Sequence, residues 1–280
     1  MLTYRYDRNH RAELMFIHFE DRLSDSPFVE RVWRCRSERA GTFLSVAASH
    51  VEIVITRHRG RMFATLRGPE TKVSQGDCPA DGEWIAIRFK TGTFLPQHPA
   101  STLLDRQDET LSAASSTRFL LDGAPWEFFG FENAETFVAR LVRRGVIRRD
   151  DAVEASVQGE RRALSRRSAQ RHFLHATGMT RTMFRQIERA RHATNLLRQG
   201  VSILDTVHEA GYFDQAHLTH SLTQFIGQTP GRILRGEQQL SFLYKTTPSS
   251  AAYDGRHDDQ LDETLDRARA QHARHPVPAV

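Results

Sequence analysis

The stretch from Leu164 to Arg235 constrains this chain more than any other. It reads LSRRSAQRHFLHATGMTRTMFRQIERARHATNLLRQGVSILDTVHEAGYFDQAHLTHSLTQFIGQTPGRILR, with glycines at 178, 200, 211 and 227. Between the glycines, apolar residues recur at three- and four-residue spacing, the signature of short amphipathic helices. Two of these helices carry polar and basic residues on the face that is not buried. Short helices with exposed polar faces, joined by a longer helix, suit a pair of helix-turn-helix units.

In the first unit, Ser165 is placed to cap a helix, its hydroxyl accepting from an amide of the first turn. Ala169, Phe173 and Ala176 then face inward, which leaves Arg166, Arg167, Gln170 and Arg171 outside. Arg and Gln are the side chains that bond bidentately to guanine and adenine edges in the major groove. Taken alone, four such residues are more simply a solvated basic face. The second unit tips the balance. Ser202 and Asp205 form a capping box, Ile203 and Val207 follow inside the helix, and Gly211 fits the left-handed position that ends it. Asp214 can cap the next helix, where Leu218, Leu222 and Phe225 share a face and Gln215, Ala216, Thr219 and His220 point outward. Thr229-Pro230 starts one more helix, with proline at its favoured first position. A longer helix over Thr182–Arg198, striped with Phe184, Ile187, Ala190 and Leu197, would hold the two units at a fixed distance.

Charge agrees with this placement. The chain carries 39 basic and 34 acidic residues, a net of +5. Residues 159–235 hold 12 Arg, no Lys and 5 acids, a net of +7, and the remainder is 27 against 29, or −2. Positive charge gathered on one segment supplies the salt-sensitive, sequence-independent share of DNA affinity.

The segments LSRRSAQRHF, ATG, QIERARHATNLLRQG, SILDTVHEAGYFDQAHL and FIGQTP together resemble the DNA-binding domain of AraC/XylS-type transcriptional regulators, over about 75 residues. The resemblance implies two helix-turn-helix units that insert one helix each into successive major-groove segments of double-stranded DNA. Carried over by position, Arg167, Gln170, Arg171, Gln215, Ala216, Thr219 and His220 are the base readers. Arg166, Arg181 and Arg232 are the phosphate contacts. Three features depart from the family pattern: Val207 replaces a small residue four before the turn glycine, GERRA follows a short leading helix over 152–158, and His220 stands where arginine is common. A neutral histidine offers one donor and one acceptor and adds little attraction for phosphate. The resemblance further implies RNA polymerase, a small-molecule effector and a second copy of the chain as partners, with the N-terminal domain sensing or dimerising. It implies no cofactor.

The fold expected is α+β. Residues 1–150 form a β-rich domain, a small antiparallel barrel or double sheet ending in a helix, and an all-α domain follows over 151–243. Strands are expected at 16–19, 28–35, 51–56, 62–66 and 83–89, with His58-Arg59-Gly60-Arg61 as a hairpin turn and Phe119 to Gly123 closing a further strand. Asn133–Arg144 reads as an amphipathic helix bearing Phe137, Val138, Leu141 and Val142, with Gly145 past its end. Burial on its own sheet is the simpler account of that helix; a helix pair with a second subunit is the alternative. Arg148-Arg149-Asp150-Asp151 marks the domain boundary. The polar segment 244–280 reads as a flexible tail.

No catalytic constellation is legible. H-E-x-x-H, G-x-S-x-G, Walker and dinucleotide motifs are absent, and His50-Val51-Glu52 lacks the second histidine of a cupin-type metal site. The chain is therefore expected not to be an enzyme and to hold no metal. An enzyme domain tethered to DNA, or a ligand-free architectural protein, are the competing classes. Cys35 and Cys78 give neither a disulfide framework nor a zinc site. Trp84, Trp126, Phe128, Phe129 and Phe131 could line a pocket but more often fill a core. With no leader and no 18-residue apolar run, a cytoplasmic protein without membrane contact is expected.

Overall fold

A strand buried at five successive positions requires cover on both faces of its sheet, and Glu52 to Thr56 is buried in that way. The computed structural model describes residues 17–106, 108–157, 165–236 and 240–241, all within one compact unit, Met1–Thr247. Strands β1 (Ile17–Leu23), β2 (Val29–Ser37), β4 (Glu52–His58), β5 (Arg61–Arg67), β7 (Glu83–Phe89) and β9 (Glu109–Leu111) form one six-stranded sheet in the order β1-β2-β7-β4-β5-β9. Every pairing in it is antiparallel. Side chains alternate across β4: Ile53 and Ile55 enter one core with Val32, Leu66 and Ile87. Val54 enters another with Trp33, Cys35 and Ala86.

A ribbon of β3 (Gly41–Ser45) and β6 (Ser74–Cys78) contributes Phe43 and Cys78 to the second core. The first core is filled from a three-stranded sheet of β10 (Ala113–Ser115), β11 (Arg118–Leu121) and β12 (Ala124–Glu127). Among the described residues, strands β1 and β9 end the large sheet and do not pair with each other. Two of the hairpins with two-residue turns carry left-handed residues at both turn positions. Arg59 and Gly60 lie at φ 49° and 74°, and Asp122 and Gly123 at 50° and 71°. Two left-handed residues in succession are what a type I′ turn demands.

The strand expected over 28–35 starts at Val29 and runs on to Ser37, because the ladder to β7 continues through Arg36 whatever the polarity of the side chains. The first strand runs Ile17–Leu23; Phe16 lies outside the described residues. Cys35 and Cys78 are buried free thiols, pushed up in pKa by that burial.

After the short helix α1 (Ala100–Leu103), helix α2 (Ala134–Arg143) buries Phe137, Val138 and Leu141 against the sheet part of its own chain. Phe137 stacks on Phe129 at 4.9 Å and meets Trp126 edge-on at 5.9 Å. Arg22 of β1 clamps the first turn of α2, its guanidinium donating to both oxygens of Glu135 at 2.5 and 2.8 Å.

Strands β8 (Thr93–Phe94) and β13 (Arg148–Arg149) pair just before the helical part. That part comprises α3 (Asp151–Val157), α4 (Arg166–Thr177), α5 (Arg181–Arg198), α6 (Ile203–Glu209), α7 (Gln215–Ile226) and α8 (Pro230–Arg235). Its core also takes in Val46, Ala47, Phe94 and Leu104 from the sheet-rich part. Three polar contacts join the two parts at the same place. The Ala47 amide donates to the Phe225 carbonyl at 2.8 Å. Arg191 donates to the Ala47 carbonyl at 3.2 Å, and the Ser49 hydroxyl to Glu188 at 2.6 Å. The α5 stripe is thus wider than its apolar residues indicate, for Arg191 and Thr194 are buried on it as well.

Beside this junction lies a buried charge cluster. Glu52 Oε1 accepts from the Arg88 guanidinium at 2.9 Å and from the Trp33 indole at 3.1 Å, and lies 3.2 Å from His50 Nε2. Burial opposes the charge on Glu52, but the Arg88 cation and the bond to His50 outweigh it and hold the carboxyl well below its usual range. Burial, then the Arg88 cation, push His50 down to about 4 from 6.5. A histidine whose folded pKa is depressed is protonated first in the unfolded chain. Its contribution is therefore complete above pH 6.5 and lost as pH falls toward 4. About 3 kcal/mol should disappear over that window through His50. Glu52 acts in the same direction at the acid end, while Glu30, raised by burial, acts against it. Urea denaturation across the window should show a shallower pH dependence for His50→Gln, and an unchanged slope would exclude the assignment.

Candidate DNA interface

Both outward-facing helices are built by their caps. Ser165 accepts from the Ser168 amide at 3.2 Å and starts α4; Gly178, left-handed at φ 73°, ends it. Phe173 and Ala176 are buried, with Phe173 edge-on to Phe184 of α5 at 5.3 Å. Arg167, Gln170 and Arg171 are exposed together on the other side, as the spacing requires. Ala169 is only half-buried, because it borders the two faces. His172 Nδ1 lies 2.6 Å from Asp150 Oδ2, and Asp150 Oδ1 accepts from the Ala152 amide at 3.0 Å, so one carboxylate ties α4 to the start of α3. The segment between α3 and α4, including GERRA, lies outside the described residues.

The second constellation is tied as tightly. Ser202 accepts from the Asp205 amide at 3.1 Å and donates to the Asp205 carboxylate at 2.6 Å. Val207 is buried in the helical core despite its size, and the turn passes through Gly211 at φ 67°. Tyr212 is buried, with its hydroxyl 2.9 Å from Ser221 Oγ and Arg189 of α5 lying over its ring at 4.8 Å. Asp214 then caps α7 by accepting from the His217 amide at 2.7 Å, and Gly227 at φ 78° closes it. Leu218, Leu222, Phe225 and Ile226 are buried. Gln215, Ala216 and His220 are exposed, and Thr219 is half-buried with its hydroxyl donating to the Gln215 carbonyl at 2.8 Å. Helix α5 packs against α4, α6, α7 and α8 and so links the two constellations.

Residues 160–236 match the family model of a helix-turn-helix domain. They form an AraC-type DNA-binding domain. This domain equips the chain as a DNA-binding transcription regulator. No curated protein and no solved structure matches the chain.

Within the AraC-type domain, the phosphate candidates occupy different settings. Arg232 is exposed on α8, Arg181 is half-buried at the first position of α5, and the Arg166 side chain lies outside the described residues. Two features escaped the sequence reading. One is the burial of Arg191, which turns α5 toward the sheet-rich part. The other is Phe213, 89 % exposed in the turn before α7. Its position between a core tyrosine and a capping aspartate was the available signal. Among the described residues no group of three or more His, Cys, Asp or Glu side chains is placed to hold a metal ion. Nor is any described helix long and apolar enough to cross a membrane.

Proposed function

We propose that the chain reads operator DNA with two helix-turn-helix units, α3–α4 and α6–α7, set in successive major-groove segments. The observation that carries this reading is the pair of capped helices, α4 and α7, both packed on α5 and both exposing polar side chains away from it. Arg167, Gln170 and Arg171 read bases from α4; Gln215, Ala216, Thr219 and His220 read them from α7. Arg166, Arg181 and Arg232 contact phosphate. In functional terms the chain divides into a sensing or dimerising part over 1–150, the DNA-binding domain over 151–243 and a tail over 244–280. An effector, a second copy of the chain and RNA polymerase are the partners this organisation would serve. The docking of Ala47 and Ser49 on α5 and α7 supports such coupling, since it joins the sheet-rich part to the helix that spaces the readers.

Selection of bound sequences from random duplexes, with full-length protein at near-physiological salt, tests the reading. Two short blocks about one helical turn apart are expected. Enrichment of nothing beyond general duplex binding would reduce the basic face to an electrostatic anchor. On the selected duplex, Arg171→Ala should cost about 1–3 kcal/mol and relax preference at one position. Arg232→Ala should weaken all sequences alike and lower the salt slope by about 1. A uniform loss for Arg171→Ala would make it a phosphate contact.

A further inference from the structure

Scattered apolar side chains on a protein surface need no explanation, but the most exposed one here has a telling position. Phe213 is 89 % exposed, the highest value among the large apolar residues described. It sits one residue before the cap of α7, at the helix end that a recognition helix presents to base edges. Its outward direction is fixed from both sides. Tyr212 is committed to the core through Ser221 and an edge-on contact with His217 at 5.1 Å, and Asp214 is committed to capping α7. The ring therefore projects from a braced backbone and loses little freedom when it meets a partner. Gln215 and Ala216 follow directly and are exposed too, so ring and polar readers form one continuous surface.

A phenyl ring gains nothing from phosphate charge and offers no hydrogen bond. The apolar feature that base edges present in the major groove is the thymine C5-methyl group. We propose that Phe213 is a specificity-determining residue that packs against a thymine methyl at the edge of the block read by α7. The inference rests on the two-unit reading of DNA given above.

Deoxyuridine differs from thymidine by that methyl alone, which makes it the probe. In the selected duplex each thymine is replaced singly by deoxyuridine, and affinity is measured for the full-length protein and for Phe213→Ser and Phe213→Leu. One replacement should weaken the unsubstituted protein by about four-fold, the worth of one buried methyl group. Phe213→Ser should bind the thymine and uracil duplexes alike, and Phe213→Leu should keep part of the difference. The proposal is overturned if no replacement weakens the unsubstituted protein. It is equally overturned if Phe213→Ser keeps the full difference, as it would if the ring served a protein partner. In either case the selected motif, and with it the two-unit reading, would stand. Failure to select any motif would remove both.

Discussion

Replacing Glu52 by Gln is expected to destabilise the protein by about 3–5 kcal/mol, the effect of breaking a buried ion pair by removing one partner. Glu52 and Arg88 are 2 % and 4 % exposed, so neither can recover its hydration in place. The amide would still accept from the Trp33 indole, and the side-chain volume would hardly change. What disappears is the charge that compensates Arg88 and draws a hydrogen bond from His50. Urea denaturation at pH 7 measures the loss. A cycle with Arg88→Met identifies the cause: once the cation is gone, removing the carboxylate should cost much less. Coupling between groups in direct contact commonly reaches about 0.5–3 kcal/mol. Additive single and double effects, or a loss below about 1 kcal/mol for Glu52→Gln, would show that the pair is not the source.

The same residue marks the limit of what the sequence discloses. Val51 to Thr56 is recognisable as a strand by its β-branched run, and Glu83 to Phe89 is a strand over the very residues its pattern indicates. The hairpin turns are legible through Gly60 and Asp122-Gly123, residue types that tolerate left-handed backbone, whereas nothing in the sequence marks Arg59 as left-handed. Helix caps at Ser165, Ser202 and Asp214 are legible for a similar reason: a cap is local chemistry, complete within four residues. The partner of Glu52 is not local. Arg88 lies 36 positions away and becomes its neighbour only when β7 pairs with β4. In the linear chain His50-Val51-Glu52 reads as an incomplete metal motif; in the fold it is part of a charge cluster. Arg191 was hidden in the same way. Its periodicity puts it beside the apolar stripe of α5, but its burial depends on Ala47, 144 positions distant. The exposed faces of α4 and α7 were readable because they follow from helix period alone. Arg167, Gln170, Arg171, Gln215, Ala216 and His220 are exposed there.

Phe225→Ala is expected to cost about 3–5 kcal/mol, the usual range for emptying a buried phenyl site, and to do so without altering which sequence is preferred. Phe225 is 2 % exposed on the inward face of α7, in the core that also holds Leu222, Ile226 and Ala47. Its carbonyl accepts from the Ala47 amide at 2.8 Å, so the cavity would open where the sheet-rich part meets the reading helix. Walls made of packed helices and of the segment through Val46 and Ala47 relax only in part, which keeps the cost high. Gln215, Ala216 and His220 lie outward on the same helix and would keep their directions while the fold persists. Thermal and urea denaturation should therefore show a large loss. Selection from random duplexes, well below the lowered melting temperature, should return the unsubstituted motif. Thr223→Ala is the matched control on the exposed side of α7, where a change within about 0.5 kcal/mol is normal. A Phe225→Ala protein that stays folded but selects a different motif, or none, would show that inner packing sets the direction of the readers. In that event the contact between Ala47 and Phe225 would be part of the reading apparatus as well as of the fold.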